Sequence, residues 1–184
     1  MGLTRHVAER PRAPGHLARL PLLACVDVDY REVGAVAAAI LFLDWSTAEP
    51  LAEHVVAVER VLPYRPGAFF ERELPCILAV LARSRWPIAT VVVDGHVWLG
   101  VVQPGLGAHL YEALGRQTPV VGVAKRAYPG APAVELLRGD STRPLYVTAA
   151  GVELAIAADN IRRMHGVHRL PTLLKRVDRL CRDG

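Results

Sequence analysis

Lysine is almost missing from this chain: of its 22 basic residues only Lys125 and Lys175 are lysines, and the rest are arginines. Cysteine is scarce as well. Cys25, Cys76 and Cys181 stand far apart, with no CxxC or Cys/His spacing, which speaks against a zinc site or a disulfide framework and leaves reduced, mostly buried thiols. No apolar run approaches the roughly 20 residues needed to span a bilayer. The opening stretch MGLTRHVAERPRAPGHLARLP is rich in Arg and Pro and lacks the apolar centre of an export signal. A cytoplasmic, monomeric protein without membrane contact is the expectation. There is no GxxxxGK[ST] loop and no strand followed by GxGxxG, which disfavours a small-molecule phosphate-binding domain. Internal repeats and low-complexity segments are absent too.

What is present fits a single folded unit. A chain of 184 residues with a hydrophobic fraction of 52% can bury a core without disulfides or structural metal. Residues 1–18 read as a flexible tail and 19–184 as one domain. The net charge of +4 suits a polyanion such as nucleic acid without requiring one. Leu22 to Tyr30, Val33 to Leu43 and Leu51 to Val61 read as three strands joined by short turns, an antiparallel meander, although the alanines of the second would also suit a helix. Beyond Pro66-Gly67 the apolar spacing becomes helical through Phe69, Leu74, Ile77, Leu78 and Leu81. A strand over Ile88–Val93 follows, then a helix over Gly105–Gly115 and a strand over Thr118–Ala124. After a long turn-rich excursion from Tyr128 to Pro144 come a short strand from Leu145 and helices near 153–165 and 171–182. Three antiparallel strands, then parallel strands alternating with helices, predict an α/β, ribonuclease H-like mixed sheet flanked by helices.

Three carboxylates fall at separate places in that order. Asp27 interrupts the apolar strand Leu22–Tyr30, where an acid is costly unless paired, hydrogen-bonded or bound to metal. Asp94-Gly95 ends the strand VVVDG at the sheet edge where open α/β sheets place ligands, and glycine at 95 lets the backbone turn beneath one. Glu73 lies on the first turns of the first helix. Converging, the three would offer hard oxygen ligands for Mg²⁺ or Mn²⁺. Taken singly, Asp94 reads as a turn and Glu73 as a solvated helix acid or a favourable charge near a helix N-terminus. Asp29 shares the strand parity of Asp27, and either joins it or marks the exposed end.

The motifs CVDVDY, PYRPGAFFERELP, VVVDGHV and PVVGVAKRAY occur in order over roughly residues 20 to 130, and together they resemble the endonuclease V family. The resemblance implies a ribonuclease H-like fold and Mg²⁺-dependent (Mn²⁺ as substitute) hydrolysis of a phosphodiester 3′ to an inosine-type nucleotide in DNA or RNA, a DNA-repair reaction leaving a 5′-phosphate. It places Asp27, Glu73 and Asp94 at the metal-binding carboxylates and Lys125 at the active-site lysine. Tyr64 matches the wedge tyrosine beside the displaced base, or else is an aromatic staple under its loop. Pro66, Gly67 and Gly95 fall in nucleic-acid-binding segments. His109 either shapes the base pocket or is a helix histidine satisfied by the core.

Two departures stand out. Val97-Trp98-Leu99 replaces the small residues that usually follow the family's Asp-Gly, and the His-Pro-Arg beyond them is missing, which predicts a bulkier, more apolar wall for a flipped base. The late Gly-His is also missing, and Glu153 is the candidate to supply a fourth carboxylate from a final helix. An ordinary first-turn helix acid is the other reading of Glu153. The alternatives for the whole chain are a nuclease with altered base preference or a catalytically weakened nucleic-acid-binding member of the same fold. Arg72, Arg83, Arg85, Arg116 and Arg126 are candidates for the phosphate backbone.

Overall fold

The computed structural model describes residues 22–184. The tail expected over residues 1–18 and the ordered start expected near Arg19 lie outside that range. Strands β1 (Leu22–Tyr30), β2 (Ala35–Phe42) and β3 (Ala52–Val58) form the antiparallel meander. Helix α1 (Phe69–Leu81) leads into β4 (Ile88–Asp94), and α2 (Leu106–Ala113) into β5 (Val120–Ala124). β4 pairs in parallel with β1, and β5 in parallel with β4. β6 (Val134–Leu136), β7 (Leu145–Ala150), α3 (Leu154–Arg163) and α4 (Thr172–Asp183) complete the chain. The sheet order is β3-β2-β1-β4-β5-β7-β6, the ribonuclease H-like arrangement that the element order predicts.

Two layers cover the sheet. On one face Ala35, Ala37, Ala39 and Leu41 of β2 join Ile77 and Val80 of α1 and Leu110 of α2. On the other Val36, Ala38, Ile40 and Phe42 join Ile161 of α3 and Leu173, Val177 and Cys181 of α4. Burial on both sides explains why so alanine-rich a segment is a strand. Helix propensity loses to a central position whose small side chains let both layers approach. The turn after β2 closes on Asp44, whose Oδ1 accepts from the Ser46 N–H at 2.7 Å, an Asx turn.

β6 falls inside the excursion expected to be loop. Three residues flanked by proline and glycine are too few for an alternating pattern to be read. Both β6 and β7 run antiparallel to their neighbours, with Ala124 opposite Tyr146 and Val120 opposite Ala150. β7 therefore ends beside the start of β5. Whatever follows β7 is carried to the opposite end of the sheet from whatever follows β5.

Candidate active site

The register builds the site from its strands. Val26 of β1 pairs with Val93 of β4, which sets Asp27 and Asp94 side by side on the next rung. Asp94 in turn pairs with Val123 of β5, so Lys125, two residues on, reaches it: Nζ donates to Asp94 Oδ2 at 2.5 Å. Asp27, Asp94 and Lys125 share the strand parity of Cys25, Val92 and Val123, which face the α3/α4 layer. Glu73 comes from α1 in the other layer. It is buried, at 6% exposure, and not the solvated acid of the simpler reading.

Electrostatics tie the acids together. Burial and then the Asp94 charge push Asp27 up to about 6, against a hydrogen bond from the Val28 N–H, with Asp178 adding to the rise and Lys125 opposing it. Burial, followed by the charges of Asp27 and Asp94, pushes Glu73 up to about 8, with Arg72 opposing. Burial works against the Lys125 ammonium, but its hydrogen bond and attraction to Asp94 raise it overall. Glu73 Oε2 is buried with no hydrogen-bond partner, an arrangement that costs free energy unless a positive charge satisfies it. Among the described residues no group of three acids, histidines or cysteines stands in a ready-made cage for an ion. The donor set nonetheless fits a hard cation: oxygen ligands only, mutually repelling, one of them orphaned.

Asp178 is the residue that sequence reasoning missed. Its charge acts on Asp27 and on Lys125, and its carboxylate pairs with Arg182 at 2.8 Å. A signal was available: Leu174, Val177 and Cys181 are buried on α4, and Asp178 lies four residues from Leu174 and three from Cys181, on the core-facing stripe. Glu153, read either as a fourth carboxylate or as an ordinary first-turn helix acid, is set apart from the other acids by the fold. It is the exposed residue preceding α3 and follows Ala150, which pairs with the first residue of β5. Four residue steps along β5 separate that rung from Ala124, about 13 Å of strand. Asp29 does not join the cluster either, and pairs instead with Arg31 at 3.0 Å.

The loop entering α1 presents its aromatics at the surface. Tyr64 is 60% exposed while its ring edge meets Phe69 at 6.4 Å, so one side chain is both stapled and available. Gly67 has φ +78°, a left-handed turn that Pro66-Gly67 supplies cheaply, and both residues are exposed. Arg65 pairs with Glu71 across this turn. Phe69 also packs on Tyr30 at 6.0 Å, and the Arg72 guanidinium lies 3.7 Å over the Tyr30 ring. Arg72 thus has an internal partner, as does Arg116, which pairs with Glu112 at 2.7 Å. His109 stacks on Phe70 at 3.5 Å, and burial lowers its pKa.

The segment after Asp94 takes a different course from the apolar wall expected. Gly95 has φ +151°, and the chain then crosses directly over Gly122 of β5. A Cβ at 122 would lie 2.5 Å from Gly95 O and 2.8 Å from Val97 N. Val97 is fully buried in the α1/α2 layer, its N–H donating to Thr148 Oγ1 at 2.8 Å. The Trp98 indole N–H donates to Ala149 O at 3.0 Å. Val97 is therefore a core residue and not part of a base-facing wall. The exposed apolar residues lie further on, at Val101 and Val102.

The sequence profile of the Endonuclease V family matches residues 3–164. Endonuclease V of Streptomyces avermitilis is 31% identical over 202 residues, covering 97% of this chain and 85% of that protein. The crystal structure of an endonuclease V from Streptomyces avermitilis superposes with a TM-score of 0.72 at 30% identity, over 89% of this chain and 81% of that one. Ciona intestinalis endonuclease V in complex with a 23mer DNA containing an inosine followed by a ribo-adenosine shares the fold, with a TM-score of 0.76 at 16% identity over 91% and 86% of the two chains.

Proposed function

The chain belongs to the endonuclease V family and is a nuclease hydrolase, and from that premise we propose that it hydrolyses a phosphodiester bond 3′ to a deaminated, inosine-type purine nucleotide in DNA or RNA. The observation that carries this reading is the meeting of Asp27, Asp94 and Lys125 at one sheet edge, with the buried Glu73 charge coupled to both acids. Asp27, Glu73 and Asp94 would hold Mg²⁺, or Mn²⁺ in its place, and Asp178 would be the fourth carboxylate. When bound, such an ion supplies activation of water and stabilisation of the leaving oxygen.

The chain's own groups have separable tasks. Lys125, held by Asp94, offers its remaining N–H donors to a phosphate oxygen. Water attacks phosphorus, the 3′ oxygen leaves as a hydroxyl, and the phosphate stays on the 5′ end of the released strand. Tyr64 packs against bases beside the displaced nucleotide, on a loop shaped by Pro66 and Gly67. Gly95 lets the backbone pass close to the ligand, and His109 with Phe70 braces α2 against α1 behind it. The described residues act as one domain, and a monomer suffices because every proposed group lies on one chain. The reaction is a DNA-repair or RNA-processing step in the cytoplasm. No described helix is long and apolar enough to cross a membrane.

A specific observation favours altered base preference as the second reading. The Gly95–Trp98 segment is tied down over Gly122 to β7, so this loop presents valines at its tip where polar groups would read a base. Labelled single- and double-stranded DNA and RNA, with and without inosine or uracil, incubated in Mg²⁺ or Mn²⁺, test both readings. Cutting 3′ to inosine that disappears in Asp94→Ala is the expected result. Cutting confined to another lesion supports the second reading, and binding with no cutting of any substrate overturns both.

A further inference from the structure

Lys125 leaves the sheet where its ladder ends. The last β5–β7 pair is Ala124 with Tyr146, and the strand entering β7 begins at Pro144, which has no N–H to continue the ladder. The carbonyls of Lys125 and Pro144 lie just beyond that last pair. Both are taken by one guanidinium: Arg169 Nη2 donates to Pro144 O at 2.6 Å and, closer still, to Lys125 O.

Arg169 stands on the connection between α3 and α4, and a second arginine fixes that connection. Arg138, only 7% exposed, donates from Nη1 to His168 O at 3.2 Å and Arg169 O at 3.4 Å. Its Nη2 reaches Gly166 O at 3.3 Å and, at closer range, Met164 O. The same segment is closed by Thr172 N–H donating to His165 O at 2.8 Å. It lies so near Gly139 that a Cβ there would sit 2.0 Å from Val167 O. A planar fork held by a braced backbone loses little freedom in gripping two carbonyls. Arg169 Nε is itself buried with no acceptor, a cost that stability alone does not account for.

We propose that Arg169 is a positioning residue for Lys125: it fixes the backbone from which the ammonium reaches Asp94, with Arg138 bracing it from behind. The catalytic consequence rests on the nuclease reading above; the positioning itself does not. The scarcity of lysine allows a direct readout, because Lys125 and Lys175 are the only lysines in the chain. In protein labelled with ε-¹³C-lysine, Arg169→Met should move the Lys125 resonance toward that of Lys175 and leave Lys175 in place. An unmoved Lys125 signal overturns the proposal whether or not the protein cuts anything.

With a cleavable substrate, Arg169→Met should lower kcat by about tenfold or more with KM within about twofold, and should change kcat less than about twofold in a Lys125→Met background. Equal fractional losses in the two backgrounds, or a loss that follows the folded fraction, contradict it. Should Arg169→Met fail to fold, Arg169→Gln keeps an NH₂ donor on a stem too short to reach both carbonyls, and the same displacement of Lys125, of smaller size, is expected.

Discussion

The two ends of the sheet put apparently similar acids to different use. At the end where β1, β4 and β5 finish, Asp27, Asp94 and Lys125 meet, with Glu73 and Asp178 within electrostatic reach. At the other end Glu153 stands exposed before α3. In the sequence both Glu153 and Asp178 are acids associated with late helices, and the core-facing stripe that carries Asp178 does not by itself rank their distance from Asp27 and Asp94. The antiparallel course of β7 does so, by returning the chain to the start of β5 before α3 begins, whereas α4 packs back across β1 and β2. Strand direction decides which acid joins the site.

The sharpest way to break this contrast is at Asp94. Asp94→Asn should reduce kcat by about 10³-fold or more while leaving substrate binding largely in place, as single-turnover cleavage and a binding titration would show. Asp178→Asn should cost about 10–100-fold, since its charge acts on Asp27 and Lys125. A loss confined to twofold there would remove Asp178 from the site. Gly122→Ala asks whether the crossing after Asp94 is sterically fixed. A Cβ against the backbone of residues 95 and 97 should cost about 1–3 kcal/mol, measurable by denaturant unfolding.

Glu73 allows a test without substrate. Its pKa in the fold lies near 8, above the ordinary value of 4.5, so the folded state binds this proton more tightly than the unfolded chain does. Its contribution to stability is fully present below pH 4.5 and lost as pH rises through 8. In a chelating buffer at pH 8.5, Glu73→Gln should therefore melt a few degrees higher than the unmodified protein, roughly 3–6 °C, and the gap should close by pH 5. Activity should fall at the same time, the expected trade between a strained site and stability. The smallest effect belongs to Glu153→Gln, where a rate within about twofold is expected. A larger loss would overturn the separation of the two sheet ends.

Much of this was legible in the sequence, for identifiable reasons. Long apolar runs bounded by Asp-Trp-Ser, Pro-Gly and Trp-Pro marked β1 to β5 and α1, and Asp27 stood out because an acid inside such a run demands a partner. Lys125 stood out as one of only two lysines in a chain whose other basic residues are arginines. Less could be read where position depends on strand direction or layering. Glu73 looked like a surface acid because helical spacing alone does not reveal that α1 turns it toward the sheet edge. Val97 looked like part of a ligand wall because the crossing over Gly122 is a tertiary contact. The grip of Arg169 on Lys125 spans 44 residues, and no local pattern encodes it.

A crystal soaked in Mn²⁺ and measured at the manganese absorption edge tests the central claim most directly. An anomalous peak between the carboxylates of Asp27 and Asp94, with Glu73 turned toward it, is the predicted result. Full Mn²⁺ occupancy elsewhere on the protein, with Asp94 still bound only to Lys125, would contradict it.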